Sequence, residues 1–231
     1  MDSSSERHTV QRYDGELNHL HYLVLEMGGL VIYQLRSALN AFSHRDVALA
    51  QKVIDRDREI DQLEATADET ISSVIARRAP MANDLRLAMA TSKCVAELER
   101  IGDEAVRIAG AVSLAEEGPA SEPQRKRALE VQRMGDMVFE SLKQAVEIFD
   151  VWDEAKARAV IARQRSVETT TFDAILRRLM TRPLDDSRAV RRAMSLVVVI
   201  KALECVGHHS QHLAEYVTML VKGSVGRDPA Q

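Results

Sequence analysis

The chain has 231 residues, and an internal repeat constrains its fold more than any other feature. The pair Met27-Gly28 is matched 107 positions later by Met134-Gly135. Residues of core character keep the same offset over the stretch that follows: Val31/Val138, Leu35/Leu142, Ala38/Ala145, Phe42/Phe149, Ala50/Ala157 and Val53/Val160. With two residues deleted, the matches resume: Leu98-Glu99/Leu203-Glu204, Gly102/Gly207 and Ala109/Ala214. Ordered matches of this kind predict a tandem duplication of one structural unit.

Apolar spacings of three, four and seven residues predict three helices in the first unit. The first runs over about 15–43, the second ends near Arg78, and the third runs over about 82–114. Aromatic residues make up only 4% of the chain, and it contains only 10 glycines and 5 prolines, so the composition favours long helices over sheets. The sequence therefore predicts an all-α protein in which a three-helix bundle is duplicated to give six long helices.

A clear break separates the two units. Residues 116–123 hold two of the five prolines together with Gly118, which marks a linker. We predict a first repeat over 13–117, a linker over 118–124, a second repeat over 125–222 and a flexible tail over 223–231.

Charge and cysteine usage exclude several classes of protein. A net charge of −4 argues against a nucleic-acid binder that relies on bulk charge. Cys94 and Cys205 cannot form a disulfide framework, and they read as buried free thiols. No secretory signal is visible, and the most apolar stretch, 194–207, is too short and too charged to span a bilayer. We expect a cytoplasmic protein that contacts membranes only through partners.

Two pairs of carboxylates have helical spacing in the first repeat. Asp57 and Asp61 lie four residues apart in the second helix, as do Glu99 and Asp103 in the third. Residues with this spacing share one helix face. If the two helices pack together, the four carboxylates form an all-oxygen site suited to Mg²⁺, Mn²⁺ or ferric iron. The alternative is an acidic, solvated helix surface without a metal ion.

The second repeat replaces most of these carboxylates. Glu204, His208 and His212 follow one another at intervals of four residues along one helix face. Together with Glu168 from a neighbouring helix, they could form a carboxylate–imidazole site for Zn²⁺ or Fe²⁺. A polar bundle edge with solvated histidines is the alternative.

One local motif gives the chain a family resemblance. Pro80 precedes the triplet Asp84-Leu85-Arg86, Lys93 follows, and the run Leu98-Glu99-Arg100-Ile101-Gly102-Asp103 comes next. The acidic segment 53–61, with sequence Val-Ile-Asp-Arg-Asp-Arg-Glu-Ile-Asp, lies upstream. These motifs resemble those of the PhoU family of phosphate-specific transport accessory proteins, and the resemblance extends from about Tyr13 to Val221.

The resemblance implies two three-helix bundles related by a pseudo-twofold axis, with multinuclear metal sites on Glu/Asp-x-x-x-Asp pairs. Asp57, Asp61, Glu99 and Asp103 match one such site completely. The second site matches only in part, because Gln164 and His208 stand where the first repeat has Asp57 and Asp103. The implied cofactor is a divalent or trivalent metal ion, either Fe, Mn, Mg or Zn.

The resemblance also implies a regulatory role. PhoU-like proteins hold the phosphate-starvation response off when phosphate is abundant, acting between the Pst phosphate ABC transporter and the PhoR sensor histidine kinase. We therefore expect a negative regulator, a homodimer and not an enzyme, with a PhoR-type kinase and a PstB-type ATPase as partners. The alternatives are a metal-dependent helical-bundle enzyme and an interaction protein that buffers phosphate or metal.

Overall fold

The computed structural model describes residues 3–114, 122–167, 177 and 187–225. These residues form six α-helices: α1 Ser3–His44, α2 Val47–Arg78, α3 Asn83–Gly110, α4 Glu122–Val151, α5 Glu154–Val167 and α6 Ser187–Val225. No strand occurs among them. Helices α1 to α3 pack together as one bundle and α4 to α6 as another, while α1 contacts α4 and α3 contacts α6 between the bundles. The prediction of a duplicated all-α fold is confirmed.

The predicted start of the first helix, near residue 15, is wrong, because α1 begins at Ser3. Long-range contacts hold Tyr13 and Glu16 of α1 against the junction between α2 and α3. The Tyr13 hydroxyl donates to Asp84 at 2.9 Å. Arg78 donates two hydrogen bonds of 2.8 Å to the Glu16 carboxylate. Such contacts join positions far apart in sequence, so helical periodicity does not reveal them.

Three other boundaries differ from the predictions. Helix α3 ends at Gly110, and residues 111–114 form turns instead of continuing the helix. Helix α4 begins at Glu122, inside the predicted linker, and Pro123 falls in its first turn, where a helix tolerates proline because no N–H is needed there. Helix α6 continues to Val225, so the first three residues of the predicted tail are helical.

The turns that open α2 and α5 are copies of each other. Arg45 has a φ of 55° and its counterpart Trp152 has a φ of 53°. In each case the next residue is an aspartate that caps the helix: Leu49 N–H donates to Asp46 at 2.9 Å, and Lys156 N–H donates to Asp153 at 3.0 Å. The duplication therefore extends to the backbone conformation of the turns.

The contact between α1 and α4 repeats in the same way. A methyl group on Gly28 would lie 2.8 Å from Cγ1 of Val146. A methyl group on Gly135 would lie 2.9 Å from Cδ2 of Leu39. Gly28 and Gly135 are counterparts in the repeat, as are Leu39 and Val146. Each repeat therefore inserts an aliphatic side chain against the glycine of the other, as a pseudo-twofold axis requires.

The two bundles share one hydrophobic core. Leu98 and Ile101 of α3 and Leu203 and Val206 of α6 are fully buried. None of the described helices contains a stretch long and apolar enough to cross a membrane.

Candidate functional site

The predicted carboxylates of the first repeat lie on α2 and α3, which come close together at Gly102. A methyl group on Gly102 would be 3.1 Å from Cδ1 of Ile60 and 3.3 Å from Oδ1 of Asp57. The glycine of the Leu-Glu-Arg-Ile-Gly-Asp run therefore gives Asp57 the room it needs beside α3. Gln34 of α1 donates a hydrogen bond of 2.9 Å to the same Asp57 oxygen.

The charges of these carboxylates act on one another. Burial raises the pKa of Asp57, and the negative charges of Asp61 and Asp103 raise it further against the lowering effect of the Gln34 hydrogen bond. Burial also raises the pKa of Glu99, followed by the charges of Asp103, Glu64 and Asp61. The four predicted residues thus form one acidic cluster.

Glu64 belongs to this cluster, although it is not among the residues that the sequence pattern predicts. Burial raises its pKa, and the charges of Asp68, Asp61 and Asp103 add to that effect. Its position in the sequence could have revealed it, because Glu64 follows Asp61 by three residues and both therefore lie on one face of α2. The cluster offers only carboxylate oxygens, and a hard cation would relieve their mutual repulsion. These donor types suit the ions that the first-repeat pattern predicts, but no three of these carboxylates place oxygens within 4.8 Å of one another, so the metal site stays a prediction.

The second predicted set is not assembled in the same way. Gln164 takes the place of Asp57, and its Cδ would lie 2.9 Å from a methyl group on Gly207, the counterpart of Gly102. Glu204 binds Lys201 at 2.5 Å. His208 is half-buried on α6. Glu168 lies outside the described residues. The second site therefore stays a prediction.

A different group brings carboxylate and imidazole together, at the contact between α3 and α6. Oε2 of Glu97 lies 2.6 Å from Nδ1 of His209 and 3.3 Å from Nδ1 of His212. One ligand atom of each residue lies within 4.8 Å of the others, and no other group of three or more such residues in the described ranges meets this criterion. Of the predicted ligands, His212 alone belongs to this triad.

The other oxygen of Glu97 is held separately. The Tyr216 hydroxyl donates to Oε1 at 3.2 Å, and Arg100 approaches it at 3.4 Å. Burial of the Glu97 side chain would raise its pKa, but the hydrogen bonds and positive charge from His209 and His212 outweigh burial, so that the pKa is lowered. Glu97 is therefore a carboxylate with both oxygens engaged, although only 5% of its side chain is exposed.

Neither Glu97 nor His209 is among the ligands that the sequence pattern predicts. The spacing of His209 and His212, three residues apart on one helix, was the available signal. Glu97 and His209 are 112 positions apart, so their contact depends on how α3 and α6 pack. The triad offers one carboxylate and two imidazoles, and this donor set could hold a metal ion.

Comparison with known proteins places this fold in a family. The sequence model of the PhoU domain matches residues 24–112 and 131–217, once in each repeat. The chain is 36% identical to the phosphate-specific transport system accessory protein PhoU homolog of Pseudomonas aeruginosa. The aligned region of 222 residues covers 96% of this chain and 90% of that protein. It is 31% identical over 224 residues to the phosphate-specific transport system accessory protein PhoU of Escherichia coli, covering 96% and 91% of the two chains.

A solved structure agrees with this assignment. The crystal structure of PhoU from Pseudomonas aeruginosa matches with a TM-score of 0.84 at 36% identity, over 91% of this chain and 99% of that chain. The two PhoU domains, the similarity in sequence and the similarity in fold lead to one conclusion: the chain belongs to the PhoU family.

Proposed function

We propose that this protein is a negative regulator of the phosphate-starvation response and of phosphate uptake. In this role it acts as a non-enzymatic adaptor between a PstB-type transporter ATPase and a PhoR-type sensor kinase. The observation that carries the proposal is the pair of PhoU domains. Over 96% of its length, the chain also aligns with a relative named as an accessory protein of the phosphate-specific transport system. The kinase, the ATPase and a homodimeric assembly are parts of the proposal.

Deletion of the gene tests the regulatory role. In phosphate-replete medium, we expect the deletion strain to produce high alkaline phosphatase activity, and the wild-type gene on a plasmid to restore repression. Unchanged low activity in a strain without a second copy of the gene would contradict the proposal. Phosphate uptake measured in the same strains separates control of transport from control of the kinase.

Direct binding tests the adaptor role. Purified full-length chain is passed over immobilised PstB-type ATPase and, separately, over the cytoplasmic part of a PhoR-type kinase. We expect saturable binding to both. Binding to neither, with a protein whose circular dichroism shows the expected helices, would contradict the adaptor role.

The proposal includes a metal ion on Asp57, Asp61, Glu99 and Asp103. The clustering of these groups supports it, as do the increases in the pKa of Asp57 and of Glu99 that burial and the neighbouring negative charges cause. Elemental analysis of tag-free protein should find Fe, Mn or Mg above background, and Asp103→Asn should reduce the bound amount. Asp55→Asn, which changes an exposed carboxylate on the same helix α2, is the matched control. Equal metal content in all three proteins would contradict this part.

A further inference from the structure

We propose that Glu97, His209 and His212 form a zinc site that joins α3 of the first repeat to α6 of the second. This inference is independent of the proposed regulatory function and of the carboxylate cluster between α2 and α3. It rests on the donor types, on their spacing and on the groups that hold Glu97 in place.

The distances suit a small tetrahedral ion. Zn²⁺ binds imidazole nitrogen and carboxylate oxygen at roughly 2.0–2.2 Å, so two ligand atoms of a tetrahedral site lie about 3.3–3.5 Å apart. The 3.3 Å between Glu97 Oε2 and His212 Nδ1 already meets this spacing. Glu97 Oε2 and His209 Nδ1 are 2.6 Å apart, which is a hydrogen-bond distance. To bind an ion, these two atoms must move apart by less than about 1 Å, which a small rotation of the imidazole ring provides.

The donor set selects the metal. Imidazole nitrogens suit zinc and its neighbours among the transition metals, whereas Mg²⁺ and Ca²⁺ prefer oxygen ligands. Two histidines and one glutamate leave a fourth position, which water or another ligand completes. His212 is 45% exposed, whereas His209 is 18% and Glu97 is 5% exposed. An ion therefore reaches the site from the His212 side, and the open position faces solvent.

The groups behind the triad resemble the outer shell of a metal site. Tyr216 and Arg100 hold Oε1 of Glu97, and the oxygen that faces the two histidines is Oε2. Lys93 lies 5.3 Å from the centre of the Tyr216 ring and helps to fix it. Outer partners of this kind orient a ligating carboxylate and raise its affinity for metal.

The pseudo-symmetric positions show that the triad is peculiar to one place in the fold. The repeat alignment pairs Glu97 with Ala202, His209 with Glu104, and His212 with Arg107. Glu104 and Arg107 form an ion pair of 2.7 Å between themselves. Glu104 of the first repeat thus pairs with an arginine of its own helix, whereas the equivalent positions of the second repeat carry the two histidines that contact Glu97.

Zinc titration of the full-length chain tests the proposal. EDTA-treated protein is titrated with ZnCl₂ in a calorimeter, and the thermal unfolding midpoint is measured with and without one equivalent of Zn²⁺. We expect tight zinc binding that raises the unfolding midpoint. His209→Gln should weaken this binding by at least about 100-fold and remove the stabilisation, since a ligand contributes more than an outer partner does. Tyr216→Phe should weaken it by roughly 10-fold.

Two histidines serve as comparisons. His208→Gln changes the neighbouring histidine on α6, which the sequence pattern groups with Glu204, and His44→Gln changes an exposed histidine at the end of α1. Both should keep the wild-type affinity. Because His209→Gln also removes a hydrogen bond to Glu97, Glu97→Gln provides a second test, and circular dichroism confirms that each variant is folded.

A cobalt substitution gives a spectroscopic signature. Co²⁺ in the site should show the intense visible absorption of a tetrahedral ion, and His212→Gln should abolish it. Three outcomes would overturn the proposal: no zinc binding by wild-type protein, unchanged binding by folded His209→Gln and Glu97→Gln, or a loss caused by His208→Gln while His209→Gln still binds.

Discussion

Gly28 and Gly29 are adjacent in α1 but face different surroundings. A methyl group at position 28 would press on the Val146 side chain at 2.8 Å and 3.0 Å, whereas one at position 29 would meet nothing within 4 Å. Valine branches at Cβ and has few rotamers, so it cannot swing aside easily. The glycine that contacts the other repeat is therefore required for packing, while its neighbour only lowers helix stability.

Substitution by alanine separates these two roles. We expect Gly28→Ala to lower the free energy of unfolding by about 1–3 kcal/mol through overpacking. Gly29→Ala should raise it by up to about 1 kcal/mol through helix propensity. Urea denaturation followed by circular dichroism measures both, and adding Val146→Ala to Gly28→Ala should recover part of the loss. Equal effects of the two alanines would contradict this account of the α1–α4 contact.

The two cysteines differ in accessibility, although burial raises the pKa of both thiols. Cys94 is fully buried, and the charge of Glu97 adds to the effect of burial. Cys205 is half-buried, and the charges of Glu104 and Glu204 raise its pKa further. Less thiolate is therefore present at pH 8 than in a free cysteine.

We expect a thiol reagent such as Ellman's reagent to label the folded protein slowly at pH 8, and faster as the pH rises. Cys205→Ser should leave no thiol that reacts before urea unfolds the chain, whereas Cys94→Ser should keep the slow reaction. Rapid labelling of Cys94 in the folded protein would show that the α3–α6 core opens more readily than its packing indicates.

At the scale of the helices, Asp46 and Asp153 cap the N-termini of α2 and α5. Each follows a residue in the left-handed region and accepts a hydrogen bond from the first turn of the next helix. The backbone hydrogen bond from Lys156 lowers the pKa of Asp153 from its ordinary value of 3.8. A lowered pKa means that the carboxylate stabilises the fold above about pH 4, and that this stabilisation is lost as the pH falls through the pKa of the folded state.

Asp153→Ala should therefore lower the urea midpoint at pH 7, and the difference from wild type should shrink as the pH is lowered below 4. Asp136→Ala, an exposed aspartate in the middle of α4, is the control and should have little effect at either pH. A gap between Asp153→Ala and wild type that persists at low pH would show that the side chain acts by something other than its charge.

Helical periodicity predicts much of the fold because the apolar stripes are long and prolines are rare. It places the start of α1 too late, and it does not reveal the contacts of Tyr13 and Glu16 with the α2–α3 junction, because such contacts leave no trace in local spacing. The acidic cluster was accessible to prediction because its i, i+4 pairs lie on two helices that the repeat places side by side. The triad of Glu97 with His209 and His212 was not, because the register of α3 against α6 is fixed by core packing.

At the scale of the whole molecule, the repeats share one core instead of forming two independent domains. Leu98 and Leu203 are both fully buried, and Ser195 of α6 donates a hydrogen bond of 2.9 Å to the Ala111 carbonyl at the end of the first repeat. Separating the repeats would expose the apolar faces of α1 and α3 to water, and this exposure is unfavourable in proportion to the area.

The isolated segment 1–117 should therefore fail to form a stable monomer, and its circular dichroism should show a broad thermal transition and lower helicity than in the whole chain. Producing it together with 118–231 should restore a complex that elutes with the intact protein on size exclusion and unfolds cooperatively. A monomeric 1–117 with the stability of the full chain would contradict the shared core.

The reciprocal insertion of Val146 against Gly28 and Leu39 against Gly135 has a consequence for the origin of the chain. Gly28 and Leu39 lie eleven residues apart in α1, which is about three helical turns, so they share one face of the helix. A single repeat therefore carries both the glycine and the aliphatic side chain that the contact needs. Two separate copies could make it twice across a true twofold axis, as symmetric homodimers do. Joining the copies in one gene lets equivalent positions differ: Glu97 of the first repeat corresponds to Ala202 of the second. A fused dimer can thus carry a single group such as Glu97, His209 and His212 at the contact between its repeats. A symmetric homodimer would have to carry the same group twice.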